Sequence, residues 1–73
     1  MVGKMESLKL NGMIIKKGSD VEIDIWGDKK TVIVTVLDIT LNGYEADIES
    51  ITSNGIILHH SDAQWEDMLV RIL

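Results

Sequence analysis

A chain of 73 residues with no cysteine, 45% hydrophobic residues and a net charge of −5 has room for one small core. It cannot reinforce that core with disulfides or thiolate zinc sites. A chain of this length buries only about 60% of its unfolded surface, so tight packing or association must supply the rest. An acidic chain is a poor ligand for nucleic acid, because neutralising phosphates takes clustered lysine and arginine.

No segment approaches the ~18 consecutive apolar residues of a membrane helix. The N-terminus MVGKMESLKL lacks the apolar stretch of a secretory signal. The expectation is a cytoplasmic protein that does not meet a membrane. Charge is unevenly spread: residues 1–30 carry about +1 and residues 31–73 about −6, which makes the second half the electrostatic face of the molecule.

Residues 1–6 are polar and mixed and read as a flexible lead-in, with 7–73 as a single small domain. Leu8 and Leu10, then Asn11-Gly12, then Met13 and Ile15 form a hairpin signal, since a type I′ turn needs positive φ at both central residues. The register pairs Leu10 with Met13 and Leu8 with Ile15. Asp20 to Trp26 alternates acid and apolar, the pattern of a strand with one wet and one buried face. Gly27-Asp28 reads as a tight turn pairing Ile25 with Lys30, Ile23 with Val32 and Val21 with Val34.

Lys29 to Thr40, KKTVIVTVLDIT, is the longest β-forming run. A second Asn-Gly at 42–43 pairs Leu41 with Tyr44, Ile39 with Ala46 and Leu37 with Ile48. That puts Leu37 and Ile39 in the core, at opposite parity to Val32 and Val34, which a regular strand cannot do. A bulge near Thr35–Val36, or a sharp bend serving two sheets, is required. The rival is a strand covered on both faces by a partner subunit. A third Asn-Gly, at 54–55, sets Leu58 opposite Ile51.

The tail SDAQWEDMLVRIL opens with a capping-box pattern, Ser61 to Gln64, and places Trp65, Met68, Leu69 and Ile72 at helical spacing. The favoured reading is a helical turn over 62–66 and a closing strand over 68–73 with Met68, Val70 and Ile72 on one face. The alternative is a single terminal helix. The whole is an all-β antiparallel barrel of five to six strands with a short helical turn near the C-terminus. Its order of hairpins, helical turn and closing strand resembles small barrels of the Src-homology-like or Sm-like kind. The resemblance is one of architecture, without a sequence motif of either family, and fold does not imply function.

Three features bear on function. Asp20, Glu22 and Asp24 are expected on one side of their strand. Glu45 precedes Asp47 and Glu49, which are expected opposite Asp38 and Val36. These acids form either a solvated face or a surface for a basic protein partner. They cannot form a calcium loop, because strand geometry holds alternate carboxylates about 7 Å apart. His59-His60 point to opposite faces of a strand and so cannot share a metal. Trp65, amid Asp62, Gln64, Glu66 and Asp67, is either an interface anchor or a plug in one end of the barrel; Trp26, beside a turn, carries the same two readings.

Neither a nucleophile elbow nor a cysteine nucleophile is present. Carboxylates alone do not make a glycosidase site without a cleft. The reading is therefore a non-enzymatic protein-interaction module without cofactor or metal, and a homo-oligomer. Association follows from small size, missing staples and the apolar Ile33 on the second face of the long strand. The alternatives are an acidic inhibitor imitating nucleic acid, and an Sm-like nucleic-acid or small-ligand module using Lys16, Lys17, Lys29 and Lys30.

Overall fold

The computed structural model describes residues 2–73. In chain order the elements are β1 (Val2–Lys4), β2 (Ser7–Leu10), β3 (Met13–Lys16), β4 (Asp20–Ile23), β5 (Val32–Asn42), β6 (Glu45–Thr52), β7 (Ile57–Ser61), α1 (Asp62–Met68) and β8 (Leu69–Ile72). The fold is mostly β and antiparallel, with one short helix. One sheet runs β7-β6-β5-β4-β8, β1 also pairs with β5, and β2-β3 form a separate hairpin. The sheet is open. β7 and β8 are its two edges and do not pair with each other, so hydrogen bonding does not close the expected barrel. Among the described residues no helix is long and apolar enough to cross a membrane.

β5 organises the sheet. Along one side it pairs with β6 from Val34 to Asn42. Its other side is divided: β4 covers Val32 to Thr35 and β1 covers Thr40 to Asn42. Between them Gly18 donates to the Val36 carbonyl, Val36 donates to Ser19, and Met5 donates to Ile39. The parity conflict is resolved as a bulge: Val36 faces Ser50 but Asp38 faces Glu49, leaving Leu37 as the extra residue. Val34 and Val36 before it and Ile39 after it all reach the core. A bulge also bends the strand, which lets one strand serve two neighbours on the same edge.

The three Asn-Gly pairs turn differently. Asn11 (φ 51°) and Gly12 (φ 78°) are both left-handed, and the β2-β3 register is the expected one. At the second, only Gly43 is left-handed; Asn42 stays in β5 opposite Glu45, and Leu41 faces Ala46. The expected pairs Ile39–Ala46 and Leu37–Ile48 are therefore displaced by two residues, which preserves the face of each β6 side chain. At the third, Thr52 accepts from Gly55 and donates to the Ile56 carbonyl, enclosing three residues. Ile51 then faces Ile57, and Leu58 faces Ser50 instead of Ile51. A one-residue shift of this kind flips a side chain to the other face, so Leu58 packs against the core.

Two further expectations are corrected. Residues 2–4 are not a loose lead-in but a strand, because the C-terminal half of β5 would otherwise present an unpaired edge; Met1 lies outside the described residues. Gly27-Asp28 is not a tight turn. The β4-β5 register holds at Ile23–Val32 and Val21–Val34, yet residues 24–31 form a wider loop. The Asp24 carboxylate gathers that loop by accepting from the Gly27 and Lys29 amides at 2.8 and 3.1 Å.

The capping box is present: Gln64 N–H donates to Ser61 Oγ at 3.2 Å and Ser61 N–H donates to Gln64 Oε1 at 2.8 Å. It starts a helix that turns Trp65 and Met68, three residues apart, into the core. β8 then pairs with β4. A bulge there leaves Leu69 and Ile72 against the core and Val70 exposed, so Met68, Val70 and Ile72 do not share a face. The core joins the buried Ile and Val side chains and Ala46 of the main sheet, and Trp65 and Met68 of α1, to Leu10 and Ile15 of the β2-β3 hairpin.

Candidate acidic interface

β6 alternates without interruption, burying Ala46, Ile48 and Ser50 and turning Glu45, Asp47 and Glu49 outward. Register supplies their neighbours. Asp47 lies between Thr40 and Ser61, and Glu49 lies between Asp38 and His59. The like-charged pair across the β5-β6 hairpin is therefore Asp38–Glu49, not Asp38–Asp47, and Glu49 does not face Val36.

Opposed carboxylates destabilise a sheet unless relieved, and three basic side chains lie against these acids. Lys4 donates to Asp38 Oδ2 at 2.6 Å and Lys17 approaches Asp38 Oδ1 at 3.8 Å. His59 lies between two acids, Nδ1 at 3.2 Å from Asp47 and Nε2 at 3.2 Å from Glu49. An imidazole donates at both nitrogens only when protonated. Glu45 has no ion-pair partner among the described residues. Beside this row runs an open groove of about 560 Å³ lined by Thr40, Asn42, Glu45, Asp47, His59 and Gln64 among others.

The other acids are occupied within the molecule. Asp20 accepts from Thr35 Oγ1 at 2.6 Å. Glu22 is half-buried, accepting from the Thr31 hydroxyl and from Arg71 Nε at 2.6 Å. Asp24 lies beyond the end of β4 and holds the 24–31 loop. The expected single acidic face thus divides into a row that ties the structure together and a row on β6 that faces solvent.

Trp65 is completely buried and has no surface to present to a partner; it plugs the core. Trp26 is the exposed tryptophan, at 68%. Of its two expected readings Trp65 takes that of the plug, which agrees with its three-residue spacing from Met68, and not that of an interface anchor. His60 faces Ile48, on the side opposite His59. No cluster of three metal-ligating side chains forms among the described residues. Lys16 and Lys17 flank the β3-β4 turn while Lys29 and Lys30 lie in the 24–31 loop, and Lys17 already approaches Asp38.

Two carboxylates titrate below their ordinary range. For Asp38 the main cause is the hydrogen bond from Lys4, whose own pKa the same contact raises. For Glu22 it is the Thr31 hydroxyl, then Arg71. A carboxyl with a depressed folded pKa stabilises the fold above its unfolded value, and this is lost as pH falls through the folded one. The urea midpoint is expected to fall as pH drops below about 4, and Glu22→Gln to flatten that acid limb. An identical acid limb in the variant would show that Glu22 does not contribute. The Lys4 side of its pair has the opposite sign, contributing below the unfolded lysine pKa and fading as alkaline pH passes the raised folded one.

The chain and its structure match no family model, no curated protein and no solved structure. What fold and site define is a class: a small, open, antiparallel β domain with a solvent-facing acidic strand.

Proposed function

We propose that this chain is a non-enzymatic interaction module that receives a basic protein partner along β6, through Glu45, Asp47 and Glu49, and that it self-associates. The observation that carries the reading is the division of the acids. Asp20, Glu22 and Asp24 are used internally, whereas the β6 row faces outward beside a polar groove, with His59 between Asp47 and Glu49 and the two lysines drawn to neighbouring Asp38. Trp65 contributes by holding α1, and with it the Gln64 wall of the groove, against the sheet. The barrel reading belongs to the same proposal, since β7 and β8 are the edges whose pairing would complete a Src-homology-like or Sm-like cylinder.

The test is binding of an arginine-rich peptide at low salt by titration calorimetry, with the triple variant Glu45→Lys, Asp47→Lys, Glu49→Lys as the comparison. Binding to wild type is expected to weaken as salt screens it, and binding to the variant to vanish while its circular dichroism is unchanged. Equal affinity for both proteins would refute the β6 surface. An inhibitor imitating nucleic acid is the special case in which the basic partner is itself a nucleic-acid-binding protein. Competition by DNA for that partner would identify it.

A further inference from the structure

The turn between β5 and β6 exposes an aromatic side chain completely: Tyr44 has a relative accessibility of 106%. It stands next to Glu45, which is also exposed. At the other end of β5 is an apolar groove of about 500 Å³, with Ile25, Val32 and Leu58 among its lining and Trp26, Ile33 and Ile56 exposed beside them. The 24–31 loop that carries Trp26 also carries Lys29 and Lys30. That loop is held in shape: Asp24 accepts two of its amides, Asp28 accepts a third from Lys30 at 3.0 Å, and Gly27 and Lys29 are left-handed.

We infer that the groove takes the Tyr44 turn of a second copy, with Glu45 of that turn against Lys29 and Lys30. The inference rests on the self-association in the proposed function and gives it an interface. Three observations support it. The aromatic knob and the apolar hole occur on the same molecule, so every copy carries both. Glu45 beside the knob is matched by Lys29 and Lys30 in the loop beside the hole, where the loop's two carboxylates, Asp24 and Asp28, are turned to its own amides. They lie at opposite ends of β5, roughly 30 Å apart along an eleven-residue strand, so a turn cannot reach the groove of its own chain. A large aromatic knob entering a preformed apolar hole is also the arrangement in which interface energy concentrates. Because knob and hole are different surfaces, the contact is head-to-tail, and it propagates until a ring closes or a filament forms.

Sedimentation velocity over a concentration series, with Tyr44→Ala, Trp26→Ala and their equimolar mixture, tests the inference. Both side chains are exposed, and circular dichroism verifies that each variant folds. Wild type is expected to grow with concentration, each variant alone to stay monomeric, and the mixture to stop at a dimer, since only one knob-and-hole pair is then intact. A wild type that remains monomeric up to millimolar concentration overturns the inference and the self-association together. Tyr44→Ala assembling like wild type overturns the inference alone, and so does a mixture that stays monomeric.

Discussion

Replacing Trp65 with alanine is expected to bring this protein to the edge of unfolding. The indole is completely buried in a core whose other buried members among the described residues are aliphatic side chains and Met68. Removing a buried tryptophan leaves a cavity that the surroundings refill only in part, costing about 3–5 kcal/mol. A chain of this length has a total stability of roughly 4–11 kcal/mol. At the lower end nothing remains, and at the upper end the loss is still a large fraction. α1 is too short to persist without tertiary contacts, so its capping box cannot compensate. Urea titration followed by far-ultraviolet circular dichroism should show a strongly lowered midpoint for Trp65→Ala. Trp65→Phe should retain much of the stability, because it keeps an aromatic ring and deletes an indole N–H that has no hydrogen-bond acceptor among the described residues. If Trp65→Ala unfolds within about 1 kcal/mol of wild type, below the usual cost of emptying a buried tryptophan site, Trp65 is not the plug of the core.

Trp65 also shows how far the residues could be read in advance. Strand positions followed from alternation, and the need for a bulge in β5 followed from the clash of parity between Val34 and Ile39. The bulge came at Leu37, a little later than the apolar pattern placed it, because Val36 and not Leu37 takes the core position before the switch. The second Asn-Gly turned about Gly43 and Tyr44 instead of Asn42 and Gly43. The dipeptide announces reversal without stating loop length. At 54–55 the Thr52 hydroxyl accepts from the Ile56 amide and donates to Asn54, a local network that makes a three-residue turn and brings Leu58 inside. β1 was illegible for another reason. Nothing in Val-Gly-Lys marks a strand; it forms because β5 outruns β4 and leaves an edge to be covered. The acidic site was half legible, since composition identified the carboxylates but not which of them Thr35, Arg71 and the Gly27 amide would occupy.

The second large effect is expected at Ile15, and it differs in kind. The β2-β3 hairpin is not hydrogen-bonded into the main sheet, and an isolated two-stranded hairpin is marginal in water. It is held by burial of Ile15 and Leu10, by partly buried Leu8, and by the Asn11 side chain donating to the Glu66 carbonyl at 2.8 Å. Ile15→Ala removes the most deeply buried of these anchors, at about 2–5 kcal/mol. That exceeds what one exposed side-chain hydrogen bond can restore, about 1 kcal/mol. Hydrogen exchange should therefore report a two-tier response. In the variant the ladder amides of β2 and β3 exchange through local opening, while those of β5 and β6 remain protected up to the lowered global stability. Should both sets exchange with one common free energy in wild type and variant alike, the hairpin would be an inseparable part of the cooperative unit. Separable release would make the hairpin the weakest-held layer of the fold. In that case Asn11 and Glu66 mark the seam along which α1, and the Gln64 wall of the acidic groove with it, is first loosened.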